Sequence, residues 1–194
     1  MRNAGLMMAK LVSLRLMAMI VAASTIVLVP ERAGAEDMRE IDCSGSQFSF
    51  PEEGYRLDCE QSAKQVRAGE SSGATMVDVM TIGSDAPSMF LTVIGMKVNA
   101  TRLYLEYRSL GANFRDTFKN TEVEDWKTIG NKNGYDTAEF KAVISGVPSQ
   151  CIAIQRYTNA AWTGFKRKMI GMGCSPVGLD PVYAALSKLL APGD

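Results

Sequence analysis

Four cysteines, Cys43, Cys59, Cys151 and Cys174, are the only thiols in this 194-residue chain, and no histidine accompanies them. The missing imidazole removes Ser-His-Asp and Cys-His catalysis, which both need it as a base. It also removes histidine-ligated zinc and non-haem iron. Carboxylate, lysine, tyrosine or thiol chemistry is what stays open. A redox-active thiol pair is usually found as Cys-x-x-Cys, and that spacing does not occur here. The cysteines are therefore expected to be structural staples.

Their positions suggest the partners. Residues 47–50 and 55–60 flank Pro51-Glu52-Glu53-Gly54 and read as two strands about a turn. Facing residues of a hairpin are centred on its turn, and Cys43 and Cys59 are centred on residue 51. Residues 151–158 and 165–174 flank the segment 159–164, and Cys151 and Cys174 are centred in it. Of the three connectivities that four cysteines allow, Cys43–Cys59 with Cys151–Cys174 fits both hairpins. Each pair would then face across a ladder at bridging distance.

Other residues could do chemistry, and each has a plainer reading. Glu122, Glu124 and Asp125 form an acidic group before Trp126, but they lack the alternating oxygens and glycine turn of a calcium loop. Met76, Met80, Met89, Met96, Met169 and Met172 offer thioethers suited to copper; methionine is also a common filler of irregular cores. Lys166-Arg167-Lys168 would suit an anionic surface, although strand alternation turns Arg167 away from Lys166 and Lys168. Trp162 sits in the turn between the last two strands. There it either packs back on the sheet or anchors a partner, as tryptophan often does. Trp162, Lys166 and Lys168 are the candidate partner contacts. No catalytic, cofactor or metal residue is assigned.

The elements that would position these residues follow from periodicity. Residues 60–73 are polar and rich in Gly and Ser, a loop with one helical turn at most. Residues 75–82 and 89–98 form a second hairpin of Val, Ile, Thr and Met. From residue 101 the period changes: Leu103, Tyr107, Leu110, Phe114 and Phe118 make one helical stripe with Asn99 as N-cap. Four strands follow, at 126–129, 135–144, 151–158 and 165–174. Asp180-Pro181 then opens a C-terminal amphipathic helix, with Asp180 as its cap. The expected fold is α+β: one antiparallel sheet, built from hairpins and a four-strand meander, packed by a central and a C-terminal helix.

The leader gives the compartment. Arg2, Lys10 and Arg15 precede an apolar run of 14 residues at 16–29, then Pro30 and Ala33-Gly34-Ala35, the pattern of a cleaved secretory signal over 1–35. The run is short for a membrane span of about 20 residues. Residues 36–194 would form one domain, periplasmic or secreted, where cysteines pair, with no transmembrane segment after cleavage. Loss of Arg2, Lys10, Arg15 and Arg32 with Glu31 leaves 17 basic and 20 acidic residues, a net charge near −3. That balance argues against a nucleic-acid partner.

The segment Phe48-Ser49-Phe50-Pro51-Glu52-Glu53-Gly54-Tyr55, with the order of strands and helices from residue 75 to 190, resembles the PsbP-like fold family. That family includes accessory proteins of the oxygen-evolving complex, Ran-binding nuclear transport factors and many exported bacterial proteins. The resemblance implies a non-catalytic binding or assembly module whose partner is a protein or another envelope component. The alternative is an envelope enzyme built on carboxylates, or a copper-handling protein built on methionines. A pocket lined by Asp78, Glu139 or Tyr135 would favour the enzyme, and three gathered methionine sulfurs would favour copper.

Overall fold

The strands run past the turn signals of the sequence, the longest to 15 residues. The structure is a computed structural model that describes residues 38–68, 71–100 and 102–191; the leader expected over 1–35 lies outside them. The elements are β1 (Arg39–Glu40), β2 (Arg56–Ala68), β3 (Ser71–Asp85), β4 (Ser88–Ala100), α1 (Leu110–Thr117), β5 (Glu124–Lys132), β6 (Tyr135–Ile144), β7 (Val147–Ala161), β8 (Gly164–Ser175) and α2 (Asp180–Lys188). A 3-10 turn, Cys43–Gly45, follows β1.

All eight strands join one antiparallel sheet in the order β1-β2-β3-β4-β8-β7-β6-β5. The fold is therefore mostly β, which corrects the expected helix-packed α+β class. Helices α1 and α2 have 8 and 9 residues, and each covers part of one face. On one face α2 lays Val182, Ala185 and Leu186 over Ile82, Leu91, Val93, Ile152 and Ile154. On the other, Leu110 and Phe114 of α1 and the following Phe118 pack on Ala138, Phe140, Ala153 and Ile170. Strand β7 shows the two-residue period directly: Ile152 and Ile154 face α2, while Cys151 and Ala153 face α1. Burial on both faces marks it as a central strand.

Four local expectations are also corrected. Residues 60–68 and 71–73 are strand and not loop: the β2–β3 ladder runs from Arg56↔Gly83 to Ala68↔Ser71, so polar composition hid the ends of two strands. The helix begins at Leu110, with Ser109 rather than Asn99 as N-cap. Asn99 instead continues β4, opposite Ala74. Leu105 exchanges backbone hydrogen bonds with Phe165 at 2.8 and 2.9 Å, which holds the chain extended and keeps Leu103 and Tyr107 out of the helix. Residues 47–50 do not pair with 55–60; Ser49 bonds Leu190, beyond α2. At the C-terminal helix the cap shifts by one residue, to Leu179, and Asp180 is the first helical residue.

The sheet edges are blunt. β1 is two residues long, and β5 is interrupted by two register shifts, with Asp125 at φ 54 and Gly130 at φ 95. Bulges and charges of this kind discourage edge-to-edge pairing. Among the described residues no helix is long and apolar enough to cross a membrane.

Candidate binding surface

Both expected disulfides are present. Cys151 and Cys174 are direct register partners across β7 and β8, with Cα atoms 4.1 Å apart. Cys43 and Cys59 are joined with Cα atoms 5.3 Å apart, but by a different route from the expected ladder. β1 pairs with β2, the chain turns sharply at Cys43–Gly45, and Ile41 donates its N–H to the Cys59 carbonyl at 3.0 Å.

The β7–β8 hairpin ends in a two-residue turn, since Ala161 pairs with Gly164. Trp162 stands at that tip and is fully exposed. The hairpin is fixed from below. A Cβ at Gly164 would lie 2.6 Å from the Leu105 carbonyl oxygen, so the extended segment before α1 can press against the turn. Tyr157 and Phe165 pack with tilted rings, centroids 4.8 Å apart, and the largely exposed Tyr107 lies 5.3 Å from Tyr157. The other tryptophan behaves differently: Trp126 lies 5.6 Å from Phe140 and 5.3 Å from Phe114, within the α1 core.

The two candidate lysines near this tip have internal partners. The Lys166 ammonium donates to the carbonyls of Ala100 and Leu103, the latter at 2.6 Å, and sits 3.8 Å from the Tyr104 ring centroid. Lys168 is half-buried on the α1 side, 3.4 Å from Asn113 Oδ1. Burial and the neighbouring Arg108 hold its pKa below the ordinary lysine value, with Asp116 partly opposing them. Trp162, Lys166 and Lys168 share one end of the molecule, but only Trp162 is freely presented.

Beside Lys168 lies a buried polar network that periodicity did not reveal. Asn113 of α1 donates to Gln155 Oε1 and to the Tyr157 hydroxyl, the latter at 2.8 Å. Gln155, fully buried, donates in turn to the Arg108 carbonyl at 3.1 Å. Arg108 and Asp116 form an ion pair. The network bonds the start of α1 to the sheet. Its one trace in the sequence is a glutamine in the apolar run Cys151-Ile152-Ala153-Ile154-Gln155.

The catalytic candidates do not converge. Asp78 is on β3, while Tyr135 and Glu139 are on β6, four strands away in sheet order and so about 19 Å across the sheet. Glu139 accepts a hydrogen bond of 2.7 Å from the Tyr183 hydroxyl. Asp78 is fully buried and accepts the Gln47 N–H at 2.6 Å. Met80, Met89 and Met169 are buried within the α2 core, and Met172 within the α1 core; Met76 and Met96 are half-buried. In the acidic group, Asp125 binds Lys141 at 2.7 Å while Glu122 and Glu124 face solvent. Among the described residues no three His, Cys, Asp or Glu side chains are grouped to hold a metal.

Comparison with family models, with curated proteins and with solved structures finds no match.

Proposed function

We propose that this chain is an exported, non-enzymatic binding protein of the periplasm or the cell exterior, stapled by two disulfides, that meets its partner through the Trp162 end of the β7–β8 hairpin. The observation that carries this reading is the full exposure of Trp162. A large apolar ring is costly to leave in water, and tryptophan is enriched at contact hot spots. The two disulfides fit an oxidising compartment. The scattering of Asp78, Tyr135 and Glu139 across the sheet favours binding over carboxylate chemistry, and burial of Met80, Met89 and Met169 among aliphatic residues favours packing over copper handling. Kinship with the PsbP-like family belongs to the same proposal. Its support is that Phe48 and Phe50 are buried in the α2 core, with Tyr55 edge-on to Phe50 at 4.9 Å.

Site-specific photocrosslinking in the producing cell tests the reading. A probe at residue 162 should give a discrete protein or envelope adduct. A probe at residue 147, at the opposite end of β7 and about 50 Å away along the strand, should not. No adduct from residue 162, or the same adducts from both positions, would remove the hairpin tip from the function.

A further inference from the structure

Strand alternation sends Lys166 to the α1 face of β8 and Arg167 to the α2 face, so Lys166-Arg167-Lys168 is no flat patch. Along the hairpin, by contrast, these charges form a collar. Asn159, Ala160, Ala161, Trp162 and Thr163 are all exposed and none is charged. The first charge on β8 is Lys166, three residues behind Thr163 and so about 10 Å from the tip. Next comes Arg167 with its register partner Lys97, on the other face of the sheet. Lys166 donates to the carbonyls of Ala100 and Leu103, neutral groups that hold it without cancelling its charge. The adjoining segment, bridged at Leu105 to Phe165, adds Arg102 and Glu106, with Arg108 already paired to Asp116. The collar is net positive, although the chain without its leader carries a charge near −3.

On the α1 face Phe165, Tyr107 and Tyr157 pack together behind the uncharged cap, and Tyr107 is largely exposed. The order from the tip inward is therefore uncharged, aromatic and basic. A bilayer with anionic headgroups asks for the same order in depth. Tryptophan and tyrosine settle at the interface, and lysine and arginine lie against the phosphates. Interfacial segments sink about 5–10 Å below the headgroups, which places the collar, about 10 Å behind the tip, at phosphate level. A sugar chain would find few hydrogen-bonding groups around the indole. Asn159 and Thr163 are the polar side chains of the cap, and the Tyr157 hydroxyl already accepts from Arg108 N–H and Asn113 Nδ2.

We propose that the β7–β8 hairpin docks tip-first on an anionic bilayer surface, with Trp162 in the interface and Lys97, Lys166 and Arg167 against the lipid phosphates. The proposal rests on the reading of Trp162 as the contact surface and names what it contacts. Because the hairpin is stapled at Cys151–Cys174 and pressed by the Leu105 segment at Gly164, the tip is already ordered before it binds, which lowers the entropic cost.

The test uses the whole protein, with both disulfides closed, and vesicles of phosphatidylcholine with or without phosphatidylglycerol. Cosedimentation at about 0.05 M salt should show saturable binding to the phosphatidylglycerol vesicles, lost at about 0.5 M, where the Debye length falls below about 5 Å. Brominated lipid in those vesicles should quench tryptophan fluorescence. Trp162→Ala should weaken binding at least about tenfold, for the loss of a buried aromatic ring. Lys97→Gln should weaken it about fivefold. Lys127→Gln makes the same charge change on β5, level with Ile152 and about 30 Å behind the tip, and should leave binding unchanged. No binding at low salt, equal binding to both vesicles, binding that survives Trp162→Ala, or equal losses from the two lysine variants would overturn the proposal. The probe at residue 162 in the cell separates this from the reading beneath it: a protein adduct there with no vesicle binding removes the bilayer and keeps the tip as a contact.

Discussion

Two residues show how far a single side chain can be argued. Cys151 joins β7 to β8 beneath the α1 core, and the loop it closes with Cys174 spans 23 positions. A native bridge in a small exported domain contributes about 2–5 kcal/mol, a large part of a typical total of about 5–15. Cys151→Ala should lower the melting temperature and leave Cys174 as a free thiol, with Cys43–Cys59 still closed; peptide mapping without reduction reads all three. Tyr183 makes a pH-dependent contribution. Burial, then its hydrogen bond to Glu139, pushes the phenol above its ordinary 10.0. The folded chain therefore holds that proton more tightly than the unfolded chain does. The resulting stability is complete below pH 10 and is lost as pH rises through the folded value. Lys168, with its pKa lowered, has the opposite slope and gains stability as pH rises towards 10.5. The test is thus a difference between proteins: Tyr183→Phe should cost about 1 kcal/mol at neutral pH, and its melting temperature should approach that of the parent as pH rises above 10.

At the scale of elements, legibility followed the balance between local and distant bonds. The register of the β7–β8 hairpin could be read because turn, alternation and cysteine spacing all agree, and Cys151 does face Cys174, although the strands run on to Ala161 and Gly164 and leave a two-residue turn where six residues were expected. Trp162 at its tip was legible for the same reason. Residues 101–109 could not be read. Leu103 and Tyr107 have helical spacing, but the Leu105–Phe165 bridge and the Lys166 bonds to the carbonyls of Ala100 and Leu103 draw this segment to the sheet. Those partners are more than fifty residues away, beyond any periodicity. The Cys43–Cys59 bond was assigned correctly on a ladder that does not exist, because a bridge requires only proximity, and the Cys43–Gly45 turn provides it. Gln47 Nε2, Asp78 Oδ1 and Arg167 Nε, buried without a hydrogen-bond partner among the described residues, left no mark on the sequence, since pairing is a property of packing. One glycine sets how closely α2 can lie. A Cβ at Gly173 would overlap Val182 Cγ1, so Gly173→Ala should destabilise by about 1–3 kcal/mol through overpacking. Combined with Val182→Ala, which removes the clashing methyls, it should cost less than the two single changes added together. Urea unfolding of the three variants measures that coupling.

The whole molecule is two meanders joined at one seam. Strands β1 to β4 pair in sequence order, as do β5 to β8, and among the described residues β4 with β8 is the only ladder between the two groups. Each disulfide lies within one half, Cys43–Cys59 in the first and Cys151–Cys174 in the second, so no disulfide crosses the seam. Packing must hold it. On one face α2 touches both β4 and β8, and Leu91 and Val93 of β4 share a core with Met169 of β8. On the other face Ile170 is buried opposite Ile94, beside Phe90. Because both halves draw on the same cores, the chain should unfold as one unit despite its two separate staples. In a Trp162→Phe background, Trp126 fluorescence reports the α1 core alone and far-ultraviolet circular dichroism reports the entire sheet. The two urea transitions should coincide. Ile170→Ala, at the seam, should cost about 2–5 kcal/mol and shift both transitions equally. Ile129→Ala, on the exposed edge strand, should stay within about 1 kcal/mol, below the range of core losses. If Ile170→Ala instead splits the dichroism curve into two steps, with Trp126 following only one of them, the halves are separate folding units and the sheet is continuous only in its hydrogen bonds.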